Sequence, residues 1–176
     1  DVYKRQLENL SEIDEMTGIY NRRGFYRAAE AFIESSKGKD IIVCYADMDN
    51  LKLVNDGYGH SEGDFSIKSL ALCLKEAFGE NGIVGRMGGD EFAAFILSEK
   101  TEGIESIIGK KRRYIEHLNR TANKPYHIDM SMGFCECVCE NSYDFKEAVD
   151  KADGKLYDNK TERKRRNKNK VSETDH

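Results

Sequence analysis

The sequence predicts an α+β fold: a central, mostly antiparallel sheet that contains a hairpin and is flanked by helices. Three observations predict it. Apolar residues recur at helical spacing in separate segments along the chain, the mark of amphipathic helices. Residues 41–46 and 128–134 read instead as strands, the first a continuous apolar run rich in β-branched residues, the second alternating. Between them, Ile83-Val84 and Phe92-Ala93-Ala94-Phe95-Ile96-Leu97 bracket Gly88-Gly89, the pattern of a β-hairpin. The order is helix, strand, helix, hairpin, helix, strand, helix, which folds as a sheet covered by helices.

The elements follow in chain order. Residues 1–13 place Leu7, Leu10 and Ile13 at a three-residue spacing, as in the last turns of an incoming linker helix. The polar stretch Asp14-Glu15-Met16-Thr17-Gly18-Ile19-Tyr20-Asn21 comes next. Asn21 is an N-cap for a helix from Arg22 to about Ser36, with Phe25, Ala28, Ala29, Phe32 and Ile33 as its apolar stripe and Gly38 as its stop. The strand at 41–46 ends in Asp47-Met48-Asp49. Acids at the end of a buried strand can present metal ligands beside a hairpin, though a strand emerging into water would look the same. A short helical turn carrying Lys52 and Asn55 leads to a glycine-rich loop with His60. Ser61 is placed to cap a helix running to Phe78, with Asp64 in its first turn and Gly79 as its stop.

In the hairpin, Gly88 and Gly89 can take positive φ, and they leave bare backbone against which a phosphate can lie. Asp90 and Glu91 sit at its tip; adjacent strand residues face opposite ways, so the turn must bend both toward one ion. Residues 98–103 connect to a helix marked by Ile104, Ile107, Ile108, Ile115 and Leu118, whose basic run at 110–113 reads as a solvated face. Cys135, Cys137 and Cys139 prolong the next strand on one face. Without a Cys-x-x-Cys spacing they read as small buried thiols, not a metal site. Phe145, Val149, Ala152 and Leu156 mark the last helix. Lys160 is expected at its end, and residues 161–176 as a basic, flexible tail.

Composition narrows the function. The 176 residues suit one domain, residues 14–160 by this reading. No apolar run approaches the ~20 residues of a membrane-spanning helix, and no signal-peptide pattern is present. The absence of an initiating methionine leads us to expect a piece of a longer protein. Five cysteines, an odd number, argue against a disulfide framework and for a reducing cytoplasm. The net charge of −4 is uneven: residues 160–170 hold seven basic residues and one acid, so the remainder is distinctly acidic and a poor surface for nucleic acid. An acidic body that binds a polyphosphate needs cations between them, which points to a metal–nucleotide ligand.

Three acids, Asp47, Asp90 and Glu91, are therefore expected to converge. Magnesium takes one or two protein carboxylates plus phosphate oxygens, and two such ions can clamp the attacking and leaving oxygens of a nucleotidyl transfer. Lys52 is placed to meet charge developing on the phosphates. Asn55 and Asp64 together suit guanine: a carboxylate accepts from its N1 and N2 protons, and an amide addresses N3 and N2. Adenine would leave Asp64 unpaired, and a charge-assisted hydrogen bond is worth roughly 1.5–3 kcal/mol.

Arg86-Met87-Gly88-Gly89-Asp90-Glu91-Phe92 contains the signature Gly-Gly-Asp-Glu-Phe, and the stretch from Asp14 resembles the Asp-x-Leu-Thr-Gly-Leu-x-Asn-Arg element that opens domains of the GGDEF family, with Met16 and Ile19 replacing leucines. The chain thus resembles the diguanylate cyclases of bacterial signalling, over residues 14 to about 170. The resemblance implies a palm-type, ferredoxin-like fold and condensation of two GTP into cyclic di-GMP and two pyrophosphates. It implies magnesium, or manganese, on Asp47, Asp90 and the carbonyl of Met48, with Glu91 supporting. Asp90 would accept the 3′-hydroxyl proton, and Lys52 would stabilise the transition state. Asn55, His60 and Asp64 match substrate positions, and Lys160 matches the first of two phosphate-binding cations. One domain holds half a reaction, so a homodimer, and an upstream sensor or receiver domain, are expected as partners. The chain departs from the pattern in three places. Leu51 replaces phenylalanine. The tail Lys-x-x-Gly-Arg-Asn reads Lys160-Thr161-Glu162-Arg163-Lys164-Arg165, leaving the second cation as Lys164 or a shifted arginine. The product-inhibition motif Arg-x-x-Asp reads Gly79-Glu80-Asn81-Gly82, so no feedback site of that type is expected. The competing readings are a non-catalytic GTP-binding module of the same fold and, more remotely, a nucleic-acid module using the basic tail.

Overall fold

The apolar run after Asp40 is a strand buried on both faces, and the molecule is layered around it. The computed structural model describes residues 2–99 and 103–174. Its elements are α1 (Val2–Leu10), β1 (Tyr20–Asn21), α2 (Arg22–Ser35), β2 (Asp40–Met48), α3 (Leu51–Tyr58), α4 (His60–Phe78), β3 (Ile83–Gly88), β4 (Glu91–Leu97), α5 (Ile104–Thr121), β5 (Met130–Val138) and α6 (Ser142–Thr174). Of the expected connector at 98–103, residues 100–102 lie outside the described residues, as do residue 1 and the last two residues of the expected tail.

The strand order is β1-β3-β4-β2-β5. β2 pairs antiparallel with both β4 and β5, β3 pairs antiparallel with β4, and the two-residue β1 adds a parallel edge. Alternation sorts the side chains into two cores. Ile42, Cys44, Ala46 and Met48 of β2 join Phe92, Ala94 and Ile96 of β4 under α4 and α5. Ile41, Val43 and Tyr45 join Ala93 and Phe95 under α2 and α6, where Phe25, Phe95 and Phe145 stack edge to face or tilted at centroid distances of 5.0–5.8 Å. Asp47 and Glu91 continue the second alternation past the core and emerge where the sheet ends.

Local chemistry sets the helix ends, with some departures from expectation. Asn21 caps α2, its Oδ1 accepting from Gly24 N at 2.9 Å, but the helix closes at Ser36 and Gly38 (φ 74°) shapes the turn beyond. α4 starts two residues earlier than a Ser61 cap would place it. Gly59 (φ 94°) occupies the N-cap, so Glu62 is the acid of the first turn and Asp64 falls one position later. The hairpin glycines do not use their conformational freedom. Neither Gly88 nor Gly89 has positive φ; the turn is made at Gly89-Asp90 with a register shift between Arg86 and Gly88. The segment expected as a flexible tail from residue 161 continues α6 to Thr174. The three thiols do share a face: Cys135 and Cys139 are buried and Cys137 half-buried, with Cys137 and Cys139 Sγ 3.7 Å apart. Burial pushes the Cys137 and Cys139 thiols up, which keeps them protonated. No described helix is long and apolar enough to cross a membrane.

Candidate active site

The acids gather where β2 ends. Asp47 is the cross-strand partner of Glu91. Asp90 sits in the adjoining turn, which is tied to β2 by the Met48 N–H donating to Asp90 O at 3.0 Å. Directly opposed residues of an antiparallel pair carry their side chains on the same face, so Asp47 and Glu91 lie side by side there. The Tyr45 hydroxyl, two residues back on that face, donates to Glu91 Oε2 at 3.4 Å.

A cation already stands at Asp47. Lys160 Nζ lies 2.6 Å from both carboxylate oxygens, hydrogen-bonded to Oδ2 and ion-paired with Oδ1. Partial burial lifts the Asp47 carboxyl above its ordinary value. Lys160 pulls it back only in part, and Asp90 and Asp49 add repulsion. A carboxylate whose charge is only partly compensated suits a divalent cation. The donors at hand, Asp47, Glu91, Asp90 and the Met48 carbonyl, are the hard oxygens that magnesium or manganese prefers. No group of three His, Cys, Asp or Glu side chains among the described residues is arranged to hold one ion. The expected three-carboxylate cluster is therefore looser than the sequence implied, and backbone and phosphate oxygens would complete the coordination.

The second half of the site is the α3–α4 corner. Asn55 is on α3, and its Oδ1 is buried with no partner. It faces Gly63 so closely that a Cβ there would fall 1.9 Å from Oδ1. Asp64 follows Gly63 and is exposed, as are His60 at the start of α4 and Lys52 on α3. The structure thus brings α4's first turns against Asn55, leaving Asp64 and His60 facing solvent beside it. The exposed Gly88 and Gly89 meet no crowding: a Cβ at Gly89 would touch nothing within 4 Å, and at Gly88 only Glu91 Oε2 at 3.8 Å. Neither backbone conformation nor packing demands glycine there.

Several residues escaped the sequence reading. Arg86 latches the turn, its Nε and Nη2 donating to Gly89 O at 3.0 and 2.7 Å and its Nη1 to Asp14 at 3.3 Å. Asp14 also accepts from Thr17 N and Oγ1. Partial burial pushes its carboxyl up, but the Thr17 hydrogen bonds and the Arg86 charge outweigh this and hold it below its ordinary value. At the corner, Glu62 accepts from the Tyr126 hydroxyl and pairs with Lys124 at 2.9 Å, fixing α4 to the segment before β5. Asp49 accepts from Ser131 Oγ at 2.6 Å and from Arg163 Nη1 at 3.2 Å. Apart from the local Arg86–Gly89 and Asp14–Thr17 contacts, these partners are far apart in sequence. A concavity of about 720 Å3 lies at the other end of β3, lined by Ile13, Ile19, Leu72, Val84 and Tyr114 among others. It contains none of these residues.

A mixed five-stranded sheet with an acid-bearing hairpin against a strand that ends in acids, and helices on both faces, defines a GGDEF-type α+β domain. The family model described as "Diguanylate cyclase, GGDEF domain" matches residues 11–166, and the chain belongs to that family. Among curated proteins it is 31% identical over 175 residues to a probable diguanylate cyclase, DgcC of Escherichia coli K12, covering 97% of this chain and 46% of DgcC. It is 28% identical over 137 residues to the cyclic di-GMP phosphodiesterase PdeB of Shewanella oneidensis, covering 76% of this chain and 15% of PdeB. The chain thus spans less than half the length of these relatives. Among solved structures it is similar to the diguanylate cyclase SiaD of Pseudomonas aeruginosa, in complex with its activator SiaC, at TM-score 0.73 and 26% identity over 92% of this chain and 65% of SiaD. A microbial GGDEF domain studied for its interaction with cyclic di-GMP matches at TM-score 0.69 and 27% identity, covering 86% of this chain and 94% of that one.

Proposed function

We propose that this chain is a diguanylate cyclase that condenses two GTP into cyclic di-GMP with release of two pyrophosphates. The observation that carries the reading is the register of β2 against β4, which sets Asp47 beside Glu91 and hangs the Asp90 turn on Met48. Asp47, Asp90, Glu91 and the Met48 carbonyl would hold magnesium or manganese, which when bound polarises the phosphates and neutralises their charge. Asp90 would accept the 3′-hydroxyl proton. The freed oxygen attacks the α-phosphorus of the second GTP, the bond from that phosphorus to the bridging oxygen breaks, and pyrophosphate departs with the electron pair. Lys52 and Lys160 meet the charge on the phosphates, and the bare backbone at Gly88-Gly89 gives them room. Asn55 and Asp64 take the guanine edge. The buried, unpaired Asn55 Oδ1 supports this, since a base N–H would satisfy it.

Each copy would bind one GTP, and two copies would meet about a two-fold axis so that each hydroxyl faces the other's α-phosphorus. Activity should then rise more steeply than linearly with protein concentration. The setting we propose is the bacterial cytoplasm, under an upstream sensor or receiver domain. The deciding experiment is incubation with GTP and magnesium followed by chromatography, with Asp90→Ala and Asp64→Ala beside the unaltered chain. Cyclic di-GMP from the unaltered chain, its loss with the first variant and relaxed base choice with the second are expected. GTP binding without any product would favour a second reading, a non-catalytic GTP-binding module; the altered Lys160–Arg165 tail is what favours it.

A further inference from the structure

α6 carries two candidates for a cation next to Lys160. Residues three and four positions apart share a helix face, so Arg163 and Lys164 both sit one turn on. Their surroundings differ. Arg163 Nη1 donates to Asp49 Oδ2 and to Ser131 Oγ, each at 3.2 Å, while Ser131 Oγ donates to Asp49 Oδ1 at 2.6 Å. This closes a three-membered ring of side chains beside the Lys160–Asp47 pair, and Lys160 Nζ itself lies 3.9 Å from Asp49. Lys164 pairs with neither acid among the described residues. It lines a concavity with Tyr157, Lys160, Thr161 and Arg165 and reaches neither Asp47 nor Asp49.

We infer that Arg163, not Lys164, is the second cation on the substrate's phosphates, held ready by Asp49 and Ser131. This rests on the reading of the chain as a GTP-condensing enzyme. A guanidinium has five N–H donors in a fixed fork. Here one nitrogen, Nη1, makes both protein contacts, so the Nε/Nη2 edge remains for a bidentate grip on phosphate. The side chain is 59% exposed, so a ligand reaches it, whereas Asp49 is only 18% exposed and acts as a fixed post. Arg163 stands where the family pattern carries glycine, which has no side chain to offer. The arrangement is therefore a property of this chain. Asp49 and Ser131 are positioning residues: they touch the arginine and not the substrate.

The test measures magnesium–GTP and guanosine binding by calorimetry, and the KM and kcat of product formation, for Arg163→Ala, Arg163→Lys, Lys164→Ala, Ser131→Ala and, as a charge control, Arg166→Ala. Arg163→Ala should weaken GTP binding about ten- to hundredfold, the range for a lost charge-assisted contact, with guanosine binding unchanged because guanosine has no phosphate. Arg163→Lys should recover part of the loss, since lysine has the charge without the fork. Ser131→Ala should raise KM severalfold with kcat near that of the unaltered chain, and Arg166→Ala should change neither. Loss on Lys164→Ala with Arg163→Ala unaffected overturns the inference and leaves the cyclase reading intact. GTP binding without product refutes the cyclase reading while the binding series still decides Arg163. No GTP binding by the unaltered chain overturns both.

Discussion

Replacing Gly63 with alanine separates the guanine corner from the fold that carries it. The added Cβ would lie 1.9 Å from Asn55 Oδ1, 2.9 Å from its Cγ and 3.2 Å from Leu51 Cδ1. A carbon and an oxygen need well over 3 Å, so the amide must withdraw by more than about 1 Å. Misplacement on that scale costs a positioned contact about 100-fold in rate where it serves the chemistry. The fold is affected differently. Gly63 sits inside α4 without positive φ, so alanine gains about 0.5–1 kcal/mol of helix propensity, offset by crowding of similar size. We expect thermal stability within about 1 kcal/mol of the unaltered chain, GTP binding at least tenfold weaker, and GTP-over-ATP preference reduced by a similar factor. Calorimetric titration with each nucleotide and a thermal melt read these separately. A double-mutant cycle makes the claim sharper, because Gly63→Ala should be almost silent in an Asn55→Ala background. Additive losses, or unchanged nucleotide preference with a melting point that collapses, would refute the reasoning.

Other outcomes follow from the same geometry. Gly89→Ala should leave stability within about 0.5 kcal/mol, the usual range for a surface change, because nothing lies within 4 Å of the new Cβ, yet cut product formation tenfold or more; unaltered turnover would mean that no phosphate uses that backbone. Gly133→Ala should destabilise by about 3 kcal/mol or more in denaturant titration, since its Cβ would meet Ala152 O at 2.2 Å and Leu156 N at 2.3 Å, both backbone atoms that cannot swing aside. Asp14 has its carboxyl lowered in the folded chain, so its contribution is present above the ordinary carboxylate value and is lost as pH falls through the folded one. Asp14→Asn should therefore flatten the acid limb of the stability–pH curve, and an unchanged limb would show that the Arg86–Asp14 latch carries no weight.

The sequence exposed what is periodic or local. Residues 41–46 could only be a strand buried on both faces, and Asn21 could be recognised as a cap from its place before the apolar stripe of α2. It also exposed which acids close β2 and open β4. What it concealed is what crosses the fold. Nothing near Glu62 foretells Tyr126 and Lys124, and nothing near Asp49 foretells Ser131 and Arg163, because these contacts exist only after β5 and α6 have docked. The two hairpin glycines misled in an instructive way: positive φ is the common reason for glycine in a turn, but here the residue leaves open space instead. The basic segment after Lys160 misled through composition, since charge density favours disorder until a helix already anchored upstream runs into it.

That anchoring explains how a cation from the far end of the chain reaches the acids of β2. α6 lies on β5 almost backbone to backbone, and the only side chain small enough to permit it is absent altogether at Gly133, against Ala152 and Leu156. From there helix and strand advance together. Asn159 Nδ2 donates to Met132 O at 3.2 Å, and Arg163 reaches Ser131 Oγ one strand residue further back. Each strand residue spans about 3.3 Å and each helical turn about 5.4 Å, so the helix crosses the end of the sheet obliquely and delivers Lys160 to Asp47 on the neighbouring strand. The position of Lys160 is thus set by close contact four to eight residues earlier, not by its own salt bridge. A substitution that lifts α6 from β5 should weaken phosphate binding even where both charged partners are intact, whereas shortening the helix beyond Arg166 should not.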